Sequence, residues 1–375
     1  MFNTVTSYLV SYKYSLVNAE QKNYIYTNVN LLISSSTIIL QIITIVIWKN
    51  FLVYLSVTAI FGIFQKIFIS IYFNRLYPYL KEKNTEKLTK EEKHLLISKI
   101  KALILHKIGD VSVHQTDNII VSAFVSTKMV GLLSNYNLII NTVSSCINVL
   151  FNSVIGSLGN MAAMESKDYQ YKVFKKYRFI GFWFYGFTSI ALAILMTPFI
   201  TIWIGKKMIV DVLVINLLVI DYYMIGQRIC LNNIKSAAGV YEPDKYVALL
   251  QAAVNLISSV ILAKIIGLPG VFVGTILQGM LSSILKPILS YKMLFGISSK
   301  FYFIDSAKYA GAVIGAYVIC YILSKLIIAD ITVVNFAVLA ICVVIIPNVM
   351  FGFLFYKTEE FQYYYNMLKS IALKK

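Results

Sequence analysis

Ten long apolar segments run through this sequence, and each is close to the length that a helix needs to cross a bilayer. About 20 mostly apolar residues span the hydrocarbon core of a membrane. The segments are 26–48, 51–73, 104–126, 130–157, 179–203, 208–229, 246–264, 269–291, 306–328 and 331–356. Several connections are very short, such as 49–50 and 267–270, so neighbouring helices must run antiparallel. The sequence therefore predicts an all-α integral membrane protein with about ten transmembrane helices.

Composition supports this interpretation and explains the strong positive charge. Hydrophobic residues make up 58% of the chain and charged residues only 14%, whereas soluble proteins are nearer one-half apolar and one-quarter charged. A net charge of +17 would suggest a nucleic-acid partner for a soluble chain. Here the lysines lie between apolar segments, where the positive-inside rule places them. We therefore expect membrane lipids, and no nucleic acid, as partners.

The distribution of basic residues predicts the orientation in the membrane. Lys and Arg concentrate in alternate connections, at 13–22, 75–101, 167–178, 228–245, 286–308 and 357–375. The intervening connections carry few of them. Because basic residues favour the cytoplasmic side, this alternation predicts a multi-pass protein of a cytoplasmic membrane with its C-terminus in the cytoplasm.

Motifs for metal binding or covalent catalysis are not evident. The four cysteines have irregular spacing within apolar stretches and fit buried, small side chains. The three histidines lack the spacing of a zinc site. The sequence also lacks a Gly-rich phosphate loop and a Ser/His/Asp arrangement. We therefore expect neither a metal site nor a cofactor, and no enzyme activity.

Two short motifs recur along the chain. VNLLISS at 29–35 returns as VNLISS at 254–259, and KIFIS at 66–70 returns as KPILS at 286–290. In each copy, the two motifs flank one helical hairpin, and the chain enters both hairpins from the same side of the membrane. Such a repeat predicts two bundles related by an axis along the membrane normal, an arrangement that occurs in transporters.

The repeat and the charge runs divide the chain into predicted parts. The parts are a remnant of the first bundle at 1–85, an amphipathic cytoplasmic linker helix at 86–103, a second six-helix bundle at 104–291, a C-terminal transmembrane pair at 306–356 and a cytoplasmic tail at 357–375. The first bundle is incomplete, because residues 1–12 are too short to span and Lys13 and Lys22 follow them like the inner end of a helix. We expect that the chain begins partway through a helix of a longer ancestor.

Two regions carry a resemblance to a known family. QTDNIIV at 115–121, followed by VGLLSNY at 130–136, resembles the opening of the second bundle in Wzx-type polysaccharide flippases. SYKY at 11–14, with NAEQK at 18–22, is similar to the loop after the fourth helix of that family. These flippases belong to the multidrug/oligosaccharidyl-lipid/polysaccharide (MOP) exporter superfamily, and the resemblance extends along the whole chain.

The resemblance implies a fold and a function. The fold is two six-helix bundles plus two C-terminal helices, from which this chain lacks the first three helices and part of the fourth. The function is flipping of an undecaprenyl-diphosphate-linked oligosaccharide across the bacterial cytoplasmic membrane by alternating access. The product would feed capsule, exopolysaccharide or O-antigen synthesis, with polysaccharide polymerase machinery as a partner.

Ionisable side chains deep in a predicted span are the first candidate site residues, since a charge at the bilayer centre costs at least about 2.5–3.5 kcal/mol. Asp117 lies at such a position, His114 and Asp110 share its helical face, and Gln115 and Asn118 adjoin this face. The functional interpretation is a polar wall that lines a cavity and couples transport to H⁺ or Na⁺. The alternative is a hydrogen-bond cluster that fixes the packing between bundles.

A polar stripe on the next span and a second intramembrane carboxylate are further candidates. The stripe consists of Asn141, Ser144, Ser145, Asn148 and Asn152. It either faces a sugar or joins neighbouring helices by hydrogen bonds. Asp221 lies in mid-span with Arg228 two turns further on; the two either pair structurally or line the pathway.

Three cationic side chains are candidates for contact with a diphosphate. Lys66 and Lys286 occupy matching positions of the repeat, and Arg228 joins them. Charge-assisted hydrogen bonds to phosphate oxygens are strong. The alternative is that both lysines extend to the lipid headgroups, as long lysine side chains readily do.

Two other functions remain open from the sequence. A drug or metabolite antiporter of the same superfamily would have a more apolar and aromatic cavity. A membrane polysaccharide polymerase would need a large external loop for its catalytic residues, whereas the predicted external connections are each a few residues long. The sequence therefore favours the flippase over both.

Overall fold

The computed structural model describes residues 2–20, 22–81, 89–241, 244–327 and 332–373; the helical side chains at 2–4, 9, 18, 23, 80–81, 102, 105–115, 245 and 372–373 lie outside this description. The regular elements of the described ranges are helical. They are α1 Phe2–Ala19, α2 Asn23–Trp48, α3 Phe51–Leu76, α4 Lys90–Phe124, α5 Thr127–Ser153, α6 Ile155–Met164, α7 Lys167–Trp203, α8 Val212–Ala237, α9 Lys245–Ile266, α10 Leu268–Phe295, α11 Lys300–Ile327, α12 Val333–Phe355 and α13 Glu359–Leu373. Short 3₁₀ turns lie at Pro78–Lys81 and Lys206–Met208.

Within these described ranges, nine candidate spans are long and apolar enough to cross a membrane. They comprise α2, α3, the combined segment Thr127–Met164, and α7 to α12. An all-helical, multi-pass membrane architecture is thus borne out. The tenth predicted span, 104–126, lies in α4 and is not among the nine, because its polar residues, Asp117 among them, lower its hydropathy.

Two predicted boundaries differ from the observed helices. The predicted linker helix ends at 103, but α4 continues without a break from Lys90 to Phe124, since the junction contains neither glycine nor proline; the linker's first residues, 86–88, lie outside the described ranges. The predicted span 130–157 is divided at Val154 into α5 and α6. The predicted junction of the last two spans, 328–331, is also outside the described ranges.

The chain forms two compact units, Met1–Glu92 and Lys93–Lys375. In the first unit, α1 and α3 are joined through Lys13, whose side chain is 3% exposed. Its ammonium group donates to the Ser70 hydroxyl at 2.8 Å and to the Asn74 side-chain oxygen at 2.7 Å. Neutral oxygen atoms therefore accept the hydrogen bonds of this buried ammonium group, and no carboxylate among the described residues pairs with it.

The second unit contains two apolar cores that share α7. One core joins α5, α7, α8 and α10, and the other joins α7 to α11 and α12. Beside them, α9 and α10 form a hairpin whose backbones touch: a Cβ at Gly270 would overlap the Leu262 carbonyl, and one at Gly274 would overlap Ser259. Small residues permit this close approach of two membrane helices.

The matching motifs of the sequence repeat make different contacts. Asn30 accepts a hydrogen bond from Gln65 at 2.7 Å, directly beside Lys66. Its predicted counterpart, Asn255, instead bonds to Thr275, about three turns before Lys286. The two copies thus pair their hairpins in different registers, and the repeat-related bundles are not confirmed.

Candidate functional site

A cavity of about 680 Å³ lies among α4, α5, α8 and α10 of the second unit. Its wall mixes carboxylates, amides and hydroxyls with apolar side chains. The lining residues are Asp117, Asn118, Val121, Val130, Leu133, Ser134, Asn137, Leu138, Ile140, Asn141, Ser144, Leu218, Asp221, Tyr222, Ile225, Phe272 and Thr275. Five predicted site residues therefore meet in one cavity: Asp117, Asn118, Asn141, Ser144 and Asp221.

Hydrogen bonds from two other helices fix the carboxylate of Asp117. The Thr275 hydroxyl donates to Oδ2 at 2.8 Å, and the Asn255 amide donates to Oδ1 at 3.4 Å. Thr116, the neighbour of Asp117, donates to the side-chain amide oxygen of Asn255 at 3.1 Å. Asn255 is fully buried and Thr275 is 5% exposed. These contacts place one negative side chain in a fixed position at the junction of α4, α9 and α10.

Further oxygen atoms continue this cluster along the α9–α10 hairpin. The fully buried Ser259 donates to the Val271 carbonyl at 2.9 Å. One turn from Asn255 in the other direction, Gln251 donates to the Gln278 side-chain oxygen at 2.9 Å. Buried polar groups in a membrane protein need such partners, because unpaired ones are costly there. The hairpin thus carries a continuous polar interface, which Asp117 of α4 contacts near its middle, at Asn255.

The chemistry of the Asp117 cluster suits a proton or a small hard cation. It combines one carboxylate with hydroxyl and carbonyl oxygens, which are the ligands that hard cations prefer. Among the described residues, no group of three or more His, Cys, Asp or Glu could hold a metal ion. A single carboxylate with neutral oxygens can balance one positive charge, so a monovalent ion matches the cluster best.

Asp221 supplies a second carboxylate to the same cavity. Its Oδ1 atom is buried and accepts no hydrogen bond from the described residues. Gly279 of α10 lies between it and Arg228: a Cβ there would be 3.7 Å from Asp221 Oδ1 and 3.6 Å from Arg228 Nη1. Asp221 is therefore held near a cation and retains an acceptor atom for another ligand.

Arg228 itself connects α8 to α10. It is 6% exposed, donates to the Gly279 carbonyl, and donates to the Ser283 hydroxyl at 3.1 Å. It does not line the cavity. The sequence proposed a phosphate contact for Arg228, and the described geometry instead gives it backbone and hydroxyl partners.

The two lysines of the predicted phosphate contact lie in different units. Lys66 of α3 donates to the Thr6 hydroxyl of α1 at 2.5 Å, within the first unit. Lys286 is half-buried in α10 of the second unit and lies outside the cavity wall. Their role as phosphate contacts stays a prediction.

The structure divides the predicted polar stripe of α5 into parts with different surroundings. Asn141 and Ser144 line the cavity. Asn148 accepts a hydrogen bond from the Tyr185 hydroxyl at 2.8 Å, which joins α5 to α7. Ser145 and Asn152 are exposed. One stripe thus serves both the cavity wall and helix packing.

Several wall residues were not among the sequence candidates. Ser134 and Asn137 continue the Asn141 stripe toward the start of α5, so the same periodicity could have found them. Thr275 of the wall had no such signal, and neither did Asn255, which contacts Asp117 without lining the cavity; both approach Asp117 only through tertiary packing. The side chains of His114 and Gln115, and of Asp110, lie outside the described part of the structure.

A second cavity, of about 720 Å³, lies among α7, α8, α10 and α11 and is almost entirely apolar. Its deeper wall includes Ile190 and Val313, while Ile220, Ile314 and Met280 are exposed at its edge. The Tyr223 hydroxyl, which lines it, is buried without a hydrogen-bond partner among the described residues. This second cavity, the apolar groove, could receive a hydrocarbon chain whose polar end lies near the Tyr223 hydroxyl.

No protein-family model, curated protein or solved structure matches the chain.

Proposed function

We propose that the chain transports a lipid-linked oligosaccharide across the bacterial cytoplasmic membrane and couples this movement to H⁺ or Na⁺. The observation that carries the proposal is the cavity among α4, α5, α8 and α10, three of which are candidate membrane spans, with Asp117 and Asp221 in its wall. Ionisable groups at membrane depth are expensive and mark transport pathways. Their convergence from α4 and α8 supports a shared site.

Asp117 is the proposed coupling residue. Its carboxylate contacts α9 and α10 through Asn255 and Thr275. A cation or proton that binds there changes the charge at the junction of three helices, and so favours one arrangement of them over another. Such differential binding is what couples an ion to alternating access.

The cavity wall and the apolar groove suit the two parts of the substrate. Asn137, Asn141 and Ser144 offer donors and acceptors for sugar hydroxyls. The groove beside α8 and α11 suits an isoprenoid chain, because its lining is nearly all apolar. Lys286, half-buried on α10 of the same unit, is the proposed source of positive charge for the diphosphate.

A drug or metabolite antiporter is the second candidate, and one observation favours it. Apolar and aromatic side chains, among them Leu133, Ile225 and Phe272, share the wall of the 680 Å³ cavity. This volume lies within the range of about 300–1,000 Å³ that is usual for small-molecule sites. Such a cavity would accept an amphipathic cation as well as a sugar.

The test measures lipid-linked oligosaccharide in cells that lack the gene. We expect the precursor to accumulate in the inner leaflet and to be cleared when the chain is restored. Restoring the Asp117→Asn variant should leave the precursor in place. Loss of the gene without any accumulation, but with greater sensitivity to cationic drugs, would favour the antiporter.

A further inference from the structure

The last helix, α13, continues an apolar stripe beyond the part of it that the rest of the protein covers. Phe361, Tyr364, Leu368 and Ile371 recur at helical spacing along one face. Asn366 and Ser370 lie on the opposite face, with Glu359 at its start.

The first turns of this stripe pack against α7. The Phe361 ring lies 6.0 Å from the Trp183 ring, and the Tyr364 hydroxyl donates to the Lys176 carbonyl at 3.1 Å. An ion pair of 2.8 Å joins Lys175 to Glu360 beside them. The beginning of α13 is therefore anchored on α7.

Trp183 also fixes the depth of α13 relative to the last span. Its indole N–H donates to Asn348 of α12 at 2.6 Å, and its ring lies 5.6 Å from Phe351. Both are within the last two turns of α12, which ends at Phe355. Since Trp183 contacts these turns and Phe361 together, α13 begins beside the C-terminal end of the last candidate span.

Beyond the anchored turns, the stripe has no cover within the described chain. Leu368 is 63% exposed and Ile371 is 58% exposed. Lys369 lies at the edge of this stripe, and the sequence continues to Lys374 and Lys375. The acidic residues are confined to the first turn, where Lys175 already neutralises Glu360. The free half of α13 is thus apolar on one side and positively charged at its edge.

We propose that α13 lies in the plane of the membrane surface, with Leu368 and Ile371 inserted among the acyl chains and Lys369 beside anionic headgroups. A helix with one apolar face, a polar opposite face and basic residues binds a bilayer in this way. A basic residue near an anionic surface adds electrostatic attraction to this binding. This inference is independent of the transported substrate.

The test uses the full chain in vesicles of phosphatidylcholine and phosphatidylglycerol, with its four native cysteines replaced by alanine. A fluorophore is attached to Leu368→Cys and, as the matched control on the opposite face, to Ser370→Cys; both positions are exposed, so neither label disturbs packing. Brominated lipids should quench the label at 368, and aqueous iodide should quench it severalfold less than the label at 370.

Two results would overturn the proposal. Equal iodide quenching at both positions would place α13 in water. Protection of position 368 from iodide and brominated lipid alike would mean that protein covers the stripe. The variant Lys369→Glu tests the role of the positive charge. It should increase iodide quenching of the label at 368 severalfold in the anionic vesicles and leave it unchanged in pure phosphatidylcholine. Equal effects in both kinds of vesicle would show that anionic headgroups do not bind Lys369.

Discussion

Two regions of the second unit hold their helices together in different ways. Around α7, α11 and α12, aromatic rings pack face to face and edge to face: Phe182 stacks on Tyr309 with ring centroids 4.2 Å apart, and Phe351 is fully buried beside them. Around the polar cavity, hydrogen bonds such as that from Thr275 to Asp117 join the helices.

The difference indicates a division between a scaffold and a working site. Lipid provides little hydrophobic drive for helix association, so membrane helices associate through close packing or through polar contacts. The interlocked rings between α7, α11 and α12 pack closely in only one arrangement of these helices. Hydrogen bonds to a carboxylate can be exchanged for bonds to a cation or substrate, so the cavity region can change its partners while the aromatic region keeps its shape.

The largest expected effect is on stability, in the aromatic region. Phe182→Ala should lower the free energy of unfolding by about 3–5 kcal/mol, because it removes a ring packed between α11 and α12 and leaves a cavity. Thermal and denaturant unfolding in detergent measures this. Phe353→Ala is the matched control, since that ring on α12 is 76% exposed. Equal losses for the two variants would contradict the scaffold role.

The next effect is on transport, in the cavity region. Asp117→Asn should reduce clearance of the lipid-linked precursor by about 10- to 100-fold, the equivalent of one lost charge-assisted interaction of about 1.5–3 kcal/mol. Its unfolding free energy should fall by only about 1 kcal/mol, since the amide oxygen still accepts from Thr275 while the new NH2 group cannot accept from Asn255.

Asp211→Asn is the control for this charge change. Asp211 lies outside the cavity and caps α8 by accepting from the Leu213 N–H at 2.7 Å. Asparagine caps a helix equally well, so transport should stay normal. Normal transport by the Asp117→Asn variant would remove Asp117 from the coupling role.

A smaller effect tests whether Thr275 acts through Asp117. Thr275→Val keeps the shape of the side chain but removes the hydroxyl that bonds to the carboxylate, so transport should fall about tenfold, equivalent to about 1.4 kcal/mol. Combining it with Asp117→Asn should add little further loss, because residues that share one interaction are not additive. Fully additive losses would show that the two residues act separately.

The smallest expected effects separate the two parts of the α5 stripe. Asn148→Ala should lower stability by about 1 kcal/mol through loss of the Tyr185 hydrogen bond and leave transport intact. Asn141→Ala should weaken substrate binding severalfold at unchanged stability. Substrate titration measures the binding, and denaturant unfolding measures the stability. Asn152→Ala, at an exposed position, is the control. A transport defect in Asn148→Ala alone would reverse the assignment.

Local sequence pattern was enough to predict the helical membrane architecture. It also singled out Asp117 and Asp221, although the helix that carries Asp117 is not among the nine candidate spans of the described residues. Apolar segments of the right length specify spans, and a charge inside such a segment is visible without knowledge of the fold. Asp117, Asn118, Asn141 and Asp221 were found in this way, and the structure brings them to one cavity. Helix ends were less predictable: α4 runs through the expected boundary at 103, and α5 ends before 157.

Tertiary structure alone decided which polar residues meet. Asp117 bonds to Asn255 and Thr275, which are more than a hundred positions away along the chain, and helical periodicity contains no information about contacts over that distance. Arg228 bonds to the Gly279 carbonyl rather than facing the cavity, and Asn148 bonds to Tyr185 although it shares a stripe with Asn141. The physical reason is that a sequence specifies the faces of each helix, whereas the packing of neighbouring helices decides which part of a face meets a cavity, a partner or lipid.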